Sequence, residues 1–294
     1  MFHTGKELPS FLECTFSQFR LFNPHNRVYF LTDRKHRYNI LFDKYGIISM
    51  DKNMFYSDKI SRFESLFNYG RDDFWTVTAT RMIYIENFMQ YMGLTDVYHF
   101  ENDVLVYYDM EDHHEVFKTL YDSLAMTIGG EIVAMTGFMF IKYPEVLATM
   151  TQFFIDLLSV YGISGIINKY HIPMVNEMFL MRQYGLEYPQ GLRCLPTMPF
   201  GEFSENYSIF NSIFDPASYG QFVGGTRSEG PGAKPQDHYI GRWLKANPNH
   251  DVIWEKDKDR KVPYLKYNDN EVKIEVKINN LHIHSKNLDK YMSL

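Results

Sequence analysis

Glu101, Asn102 and Asp103 follow directly on the apolar run 96–100 (DVYHF). In extended backbone the side chains alternate, which puts Glu101 and Asp103 on one side, about 7 Å apart. Two carboxylates at the end of a buried strand suit a hard divalent cation, with positions left open for phosphate oxygens. A solvated acidic turn is the plain alternative for a Glu-x-Asp taken alone. The apolar residues on both sides, with Val104 to Tyr107 following at once, weigh against it.

A second group lies at 279–288 (NNLHIHSKNL). Alternation sends Leu281 and Ile283 one way and His282 and His284 the other. A neutral imidazole is a good ligand for manganese-class metals. Lys286 shares that side if the strand persists, where it could meet a diphosphate. A histidine pair on a strand otherwise faces solvent or supports a ligand; the carboxylate pair elsewhere in the chain favours the metal reading.

These groups need a scaffold. Residues 27–33 (RVYFLTD) suit a strand buried on both faces, entered from the turn FNPHN, and ILFD at 40–43 repeats the pattern weakly. Met82, Ile85, Phe88, Met89 and Met92 mark a helix over 79–92 that Gly93 is placed to stop. Strand, helix, then a strand ending in acids is an α/β pattern, with ligands at the carboxyl ends of strands. Helices are expected at 113–124, 144–160 and 176–184. The stretch 130–142 reads as one or two strands interrupted at Gly137, where the backbone approaches something closely. A mobile loop is expected at 224–235, and a one-sided strand at 271–278 after a turn at Asn268–Asn270. No linker divides the chain. It reads as one domain, 1–294, with a loop-rich C-terminal third.

Composition excludes several classes. With 30 basic and 36 acidic residues the net charge is −6, which argues against gripping a nucleic-acid backbone. Cys14 and Cys194 are too few for a disulfide framework. No secretory signal is visible and no run of 18 apolar residues occurs, so the expectation is a cytoplasmic protein without a membrane span. Dinucleotide-binding, P-loop, paired-cysteine zinc and nucleophile-elbow fingerprints are missing. The aromatic fraction is 17%, enough to supply both core and flat faces for bases or sugars.

In order, the segments NPHNRVYFLTD, TRMIYIENFMQYMGLTDVYHFENDVLVY, GGEIVAMTGFMFI, NEMFLMRQY and LHIHSK resemble the GT-A class of nucleotide-sugar-dependent glycosyltransferases, over roughly 18–290. The resemblance implies a mainly parallel central sheet with flanking helices, a nucleotide-binding half at about 1–110 and an acceptor-side half at about 111–294. It implies a hexosyl- or pentosyltransferase using a nucleoside-diphosphate sugar, a glycan or other hydroxyl acceptor, and Mn2+ or Mg2+. Glu101 and Asp103 match the metal-binding Asp-x-Asp motif, with Glu in the first place. His284 matches the later histidine of the metal shell, with His282 as runner-up. Arg81 and Lys286 match cationic contacts to the donor diphosphate. Tyr29, Phe30 and Thr32 are candidates for the base pocket. Glu177 and Asp215 are candidates for the base an inverting enzyme needs, and Asp215 and Gln221 for sugar contacts. Two other readings compete: a sugar-1-phosphate nucleotidyltransferase, which lacks its N-terminal glycine-rich basic loop here, and a non-catalytic carbohydrate-binding protein.

Overall fold

The expected first strand forms at Val28–Thr32 (β1), after helix α1 (Leu12–Phe22). The computed structural model describes residues 1–5, 7–68, 73–226, 239–247, 249–268 and 273–294. ILFD is not a strand but the start of α2 (Ile40–Lys44), because the Asn39 side chain caps it by accepting from Leu41 N at 2.9 Å. The strand comes next, at Ile47–Asp51 (β2). Helices α3 (Asp58–Leu66) and α4 (Asp73–Met92) follow. Gly93 ends α4 at φ 62°, a left-handed conformation that glycine adopts without strain.

The acids sit between β3 (Val97–Phe100) and β4 (Val104–Val106). Helix α5 (Glu111–Leu120) is shorter than expected, because Leu124 already opens β5 (Leu124–Ile128). Then come β6 (Ala134–Ile141), α6 (Pro144–Tyr170), α7 (Glu177–Glu187), β7 (Leu192–Cys194), α8 (Tyr207–Phe210), β8 (Ser212–Ile213) and α9 (Ser218–Gly224). The described chain ends with α10 (Tyr239–Ala246), β9 (His250–Asp257), β10 (Arg260–Asn268), β11 (Lys273–Ile278) and β12 (Asn280–His282). Most of the segment expected as a mobile loop, and the turn residues after Asn268, lie outside the described residues.

The fold is mixed α/β, and its sheets are small and mixed rather than mainly parallel. Strands β3, β6, β5 and β7 form one sheet, in which β6 runs antiparallel to both neighbours and β7 parallel to β5. The reason is local. Gly129 N bonds Val133 O at 3.1 Å, so β5 returns directly as β6, and a short return can only be antiparallel. The second four-stranded sheet, β8-β11-β10-β9, is antiparallel except at β8. Strands β1 and β2 pair in parallel, and β12 lies antiparallel on β4.

Helix α6 holds no run of 18 apolar residues, yet by length and composition it is apolar enough to cross a membrane. Among the described residues it alone passes by length and composition, with mean hydropathy 1.5 in its best window, 39% of which is buried. Leu147, Met150, Phe154 and Leu158 are buried in the main core, an ordinary reason for so apolar a helix. The helix is broken at Gly162, where φ is 60° and ψ 171°.

A buried ion pair ties three helices together. Lys59 on α3 donates to both oxygens of Glu86 on α4, each at 2.9 Å, and Thr151 on α6 donates to Glu86 Oε2 at 2.7 Å. Lys59→Met would leave the buried carboxylate without its cation. The expected cost is about 2–3 kcal/mol, a fall of roughly 3–5 °C in melting temperature by calorimetry. A fall below about 1 °C would contradict it.

Candidate functional site

Glu101 leaves the sheet at the end of β3, where its N–H donates to Gly137 O on β6 at 3.0 Å. Val104 N then returns to Glu101 O at 3.1 Å. The acids are therefore brought together by a turn, not by strand alternation. Strand β12 pairs with β4 so that His282 lies opposite Val104, which carries an imidazole from the far end of the sequence to the same place. Ligand atoms of Glu101, Asp103 and His282 all lie within 4.8 Å of one another. His282 Nε2 is 3.4 Å from Glu101 Oε2 and 3.2 Å from Asp103 Oδ1. Two carboxylates and an imidazole fit a manganese- or magnesium-class cation.

Each acid also has a cation of its own. Arg81 on α4 donates to Glu101 Oε1 at 2.7 Å, and Thr136 donates to the same oxygen at 2.5 Å. Burial alone would raise the Glu101 carboxyl, but Arg81, His282 and these hydrogen bonds outweigh it and hold it well below the usual carboxylate range. The Lys286 ammonium is ion-paired with Asp103. Burial pushes that ammonium down to about 8. Lys286 stands at φ 65°, so the chain turns there instead of continuing as a strand.

That turn decides between the histidines. β12 stops at His282, and Ile283 N bonds Asp103 O at 2.9 Å. His284 does not join the acids, contrary to its rank in the sequence reading. Its Nδ1 is 3.3 Å from Gln221 Nε2, and its ring meets the His282 ring edge-on, centroids 4.3 Å apart. His282 is the histidine that meets the two acids.

The three ligand candidates open on a cavity of about 690 Å³ that also meets Arg81, His284 and Lys286. Glu177 stands on its wall as the first residue of α7, with Asn176 capping that helix through Phe179 N at 2.9 Å. Thr78 donates to Glu177 Oε2 at 2.9 Å. Burial raises the Glu177 carboxyl, and Arg81 partly opposes the shift.

Other expected residues lie elsewhere. Asp215 is buried behind His282, off the cavity wall, and its carboxylate accepts from Tyr219 N, Gly220 N and His282 N, each at 2.9 Å. Saturated by main-chain donors, it holds structure and is badly placed to serve as a base. Gln221 is also buried, beside His284. Phe30 is buried between Phe16 and Phe42, with ring centroids at 5.6 and 5.2 Å. Thr32 is fully buried too. Tyr29 packs on Phe88 and borders a separate cavity of about 260 Å³. None of these three lines the larger cavity.

In their place the structure brings residues the sequence reading did not single out. Phe2, His3 and Thr4 line the cavity because the first residues run beside β1, with His3 N bonded to Leu31 O at 2.9 Å. Phe74 and Trp75 line it from the start of α4. A periodicity reading passes over both groups, since neither belongs to an alternating or helical apolar pattern.

No family model matches this sequence, and no curated protein does either. Among solved structures, the chain is similar to the apo form of mouse xyloside xylosyltransferase 1 at 12% identity. That match covers 66% of this chain and 83% of the other, with a TM-score of 0.49.

Proposed function

We propose that this chain is a metal-dependent glycosyltransferase that moves a sugar from a nucleoside-diphosphate sugar to a hydroxyl of a glycan or other acceptor. The observation that carries the reading is the meeting of Glu101, Asp103 and His282 within 4.8 Å at the wall of a 690 Å³ cavity. Asp103, Glu101 and His282 would hold Mn2+ or Mg2+. Such an ion supplies neutralisation of the leaving diphosphate as the sugar–phosphate bond breaks. Arg81 and Lys286 add fixed positive charge for the same oxygens.

Glu177 is the carboxylate available to take the acceptor proton in an inverting reaction. Burial raises it toward neutral pH, in the direction that suits a general base. Phe74 and Trp75 offer flat faces on which a sugar ring can lie, an interaction of about 1 kcal/mol.

The test is a panel of nucleotide sugars, assayed for nucleoside diphosphate release with and without Mn2+. Metal-dependent release from at least one donor is expected, and none from any donor contradicts the reading. Binding gives a second measure. A nucleoside diphosphate with Mn2+ at a hundred times its Kd should stabilise the fold by about 2.7 kcal/mol, seen as a rise of roughly 4–5 °C in melting temperature. A nucleotidyltransferase would instead respond to a nucleoside triphosphate, and a carbohydrate-binding protein to free sugar.

A further inference from the structure

Two glycines frame His282. A Cβ added at Gly137 on β6 would come 2.7 Å from Nδ1 and 3.3 Å from Cε1 of its ring. One added at Gly220 on α9 would collide with the His282 carbonyl oxygen and come 2.9 Å from Asp215 Oδ2. Neither glycine has a positive φ, so neither position uses the backbone freedom for which glycine is usually needed. What both positions require is the absence of a side chain.

Other neighbours bracket His282 away from the cavity. The His282 N–H is held by Asp215, whose other main-chain donors, Tyr219 and Gly220, open α9. The His284 ring lies against the His282 ring. So the ring is set against β6 and the main chain against α9, while Nε2 faces Glu101 and Asp103.

We propose that Gly137 is a positioning residue of the cation site: its bare Cα leaves the slot in which the His282 ring lies, and that slot aims Nε2 at the two acids. Gly220 and Asp215 do the same for the His282 main chain. The inference rests on the reading of Glu101, Asp103 and His282 as cation ligands. An imidazole nitrogen must meet its ion along the ring plane, and groups that orient a ligand typically change metal affinity by about 10–100-fold.

The experiment compares the parent with Gly137→Ala, His282→Ala and the double variant. Mn2+ affinity is read by titration calorimetry, and melting temperature is read in chelator. Gly137→Ala and His282→Ala should each weaken Mn2+ binding by at least about tenfold. The double variant should bind no more weakly than His282→Ala alone, because the glycine acts only through the ring. If Gly137→Ala melts early without metal, the double variant should regain stability, since the obstructing ring is gone.

Parent-like binding by Gly137→Ala beside a weakened His282→Ala overturns this inference and leaves the proposed ligand set standing. Additive losses in the double variant, or a double variant that melts as early as Gly137→Ala, overturn it as well. Parent-like binding by His282→Ala would remove the ligand set itself.

Discussion

Asp103→Asn is expected to lower Mn2+-dependent turnover by about 10³-fold. The substitution keeps the shape of the side chain and removes the charge that would hold the cation. Loss of metal stabilisation of a developing diphosphate is worth several kcal/mol, and about 4 kcal/mol corresponds to 10³ in rate. The local fold should survive, because Ile283 N bonds the main-chain oxygen of residue 103, which the substitution leaves in place. Turnover is measured as nucleoside diphosphate release across a Mn2+ titration. Excess metal should recover part of the rate if Glu101 and His282 still bind it. Turnover within about threefold of the parent at every Mn2+ concentration would remove Asp103 from the site.

The second large effect is on stability. Arg81 is buried, pairs with Glu101 and lies close enough to Glu177 to oppose the rise of that carboxyl. Arg81→Met would leave the partly buried Glu101 carboxylate and the buried Glu177 carboxylate without their guanidinium neighbour. Breaking such a pair costs about 3–5 kcal/mol, or roughly 5–8 °C in melting temperature for a chain of this size. Addition of Mn2+ should return part of that loss, because an ion at Glu101 replaces the missing positive charge. A metal-free variant that melts within about 2 °C of the parent would show that Arg81 carries no such burden.

The sequence reading reached its main points where a pattern is local. The apolar run into Glu101, the stop at Gly93 and the core of α4 depend on neighbours a few residues away. Gly137 was legible as a point of close approach, although not what approaches it: His282 is brought there by the pairing of β12 with β4. The class resemblance ranked His284 above His282, and the turn through Ile283 to Lys286 is set by a bond to Asp103 that no periodicity reveals. The mainly parallel sheet failed for a similar reason. The class resemblance supplied the direction of the strands, while the short return at 129–133 fixes β5 and β6 as a hairpin. Asp215 was a candidate because the class resemblance asks for a carboxylate base. Its main-chain bonds to Tyr219, Gly220 and His282 emerge only when α9 and β12 are assembled.

The pairing of each acid with a resident cation has a consequence for how the protein is made. Many metal centres gather bare carboxylates that repel one another until the ion arrives, so such chains fold only with their metal. Here the guanidinium of Arg81 and the ammonium of Lys286 already answer the charges of Glu101 and Asp103. On the proposed reading the pocket could therefore form before any ion arrives, with the ion entering by exchange for a side chain. Binding on those terms would be weaker, since an incoming ion must displace a charge already in place.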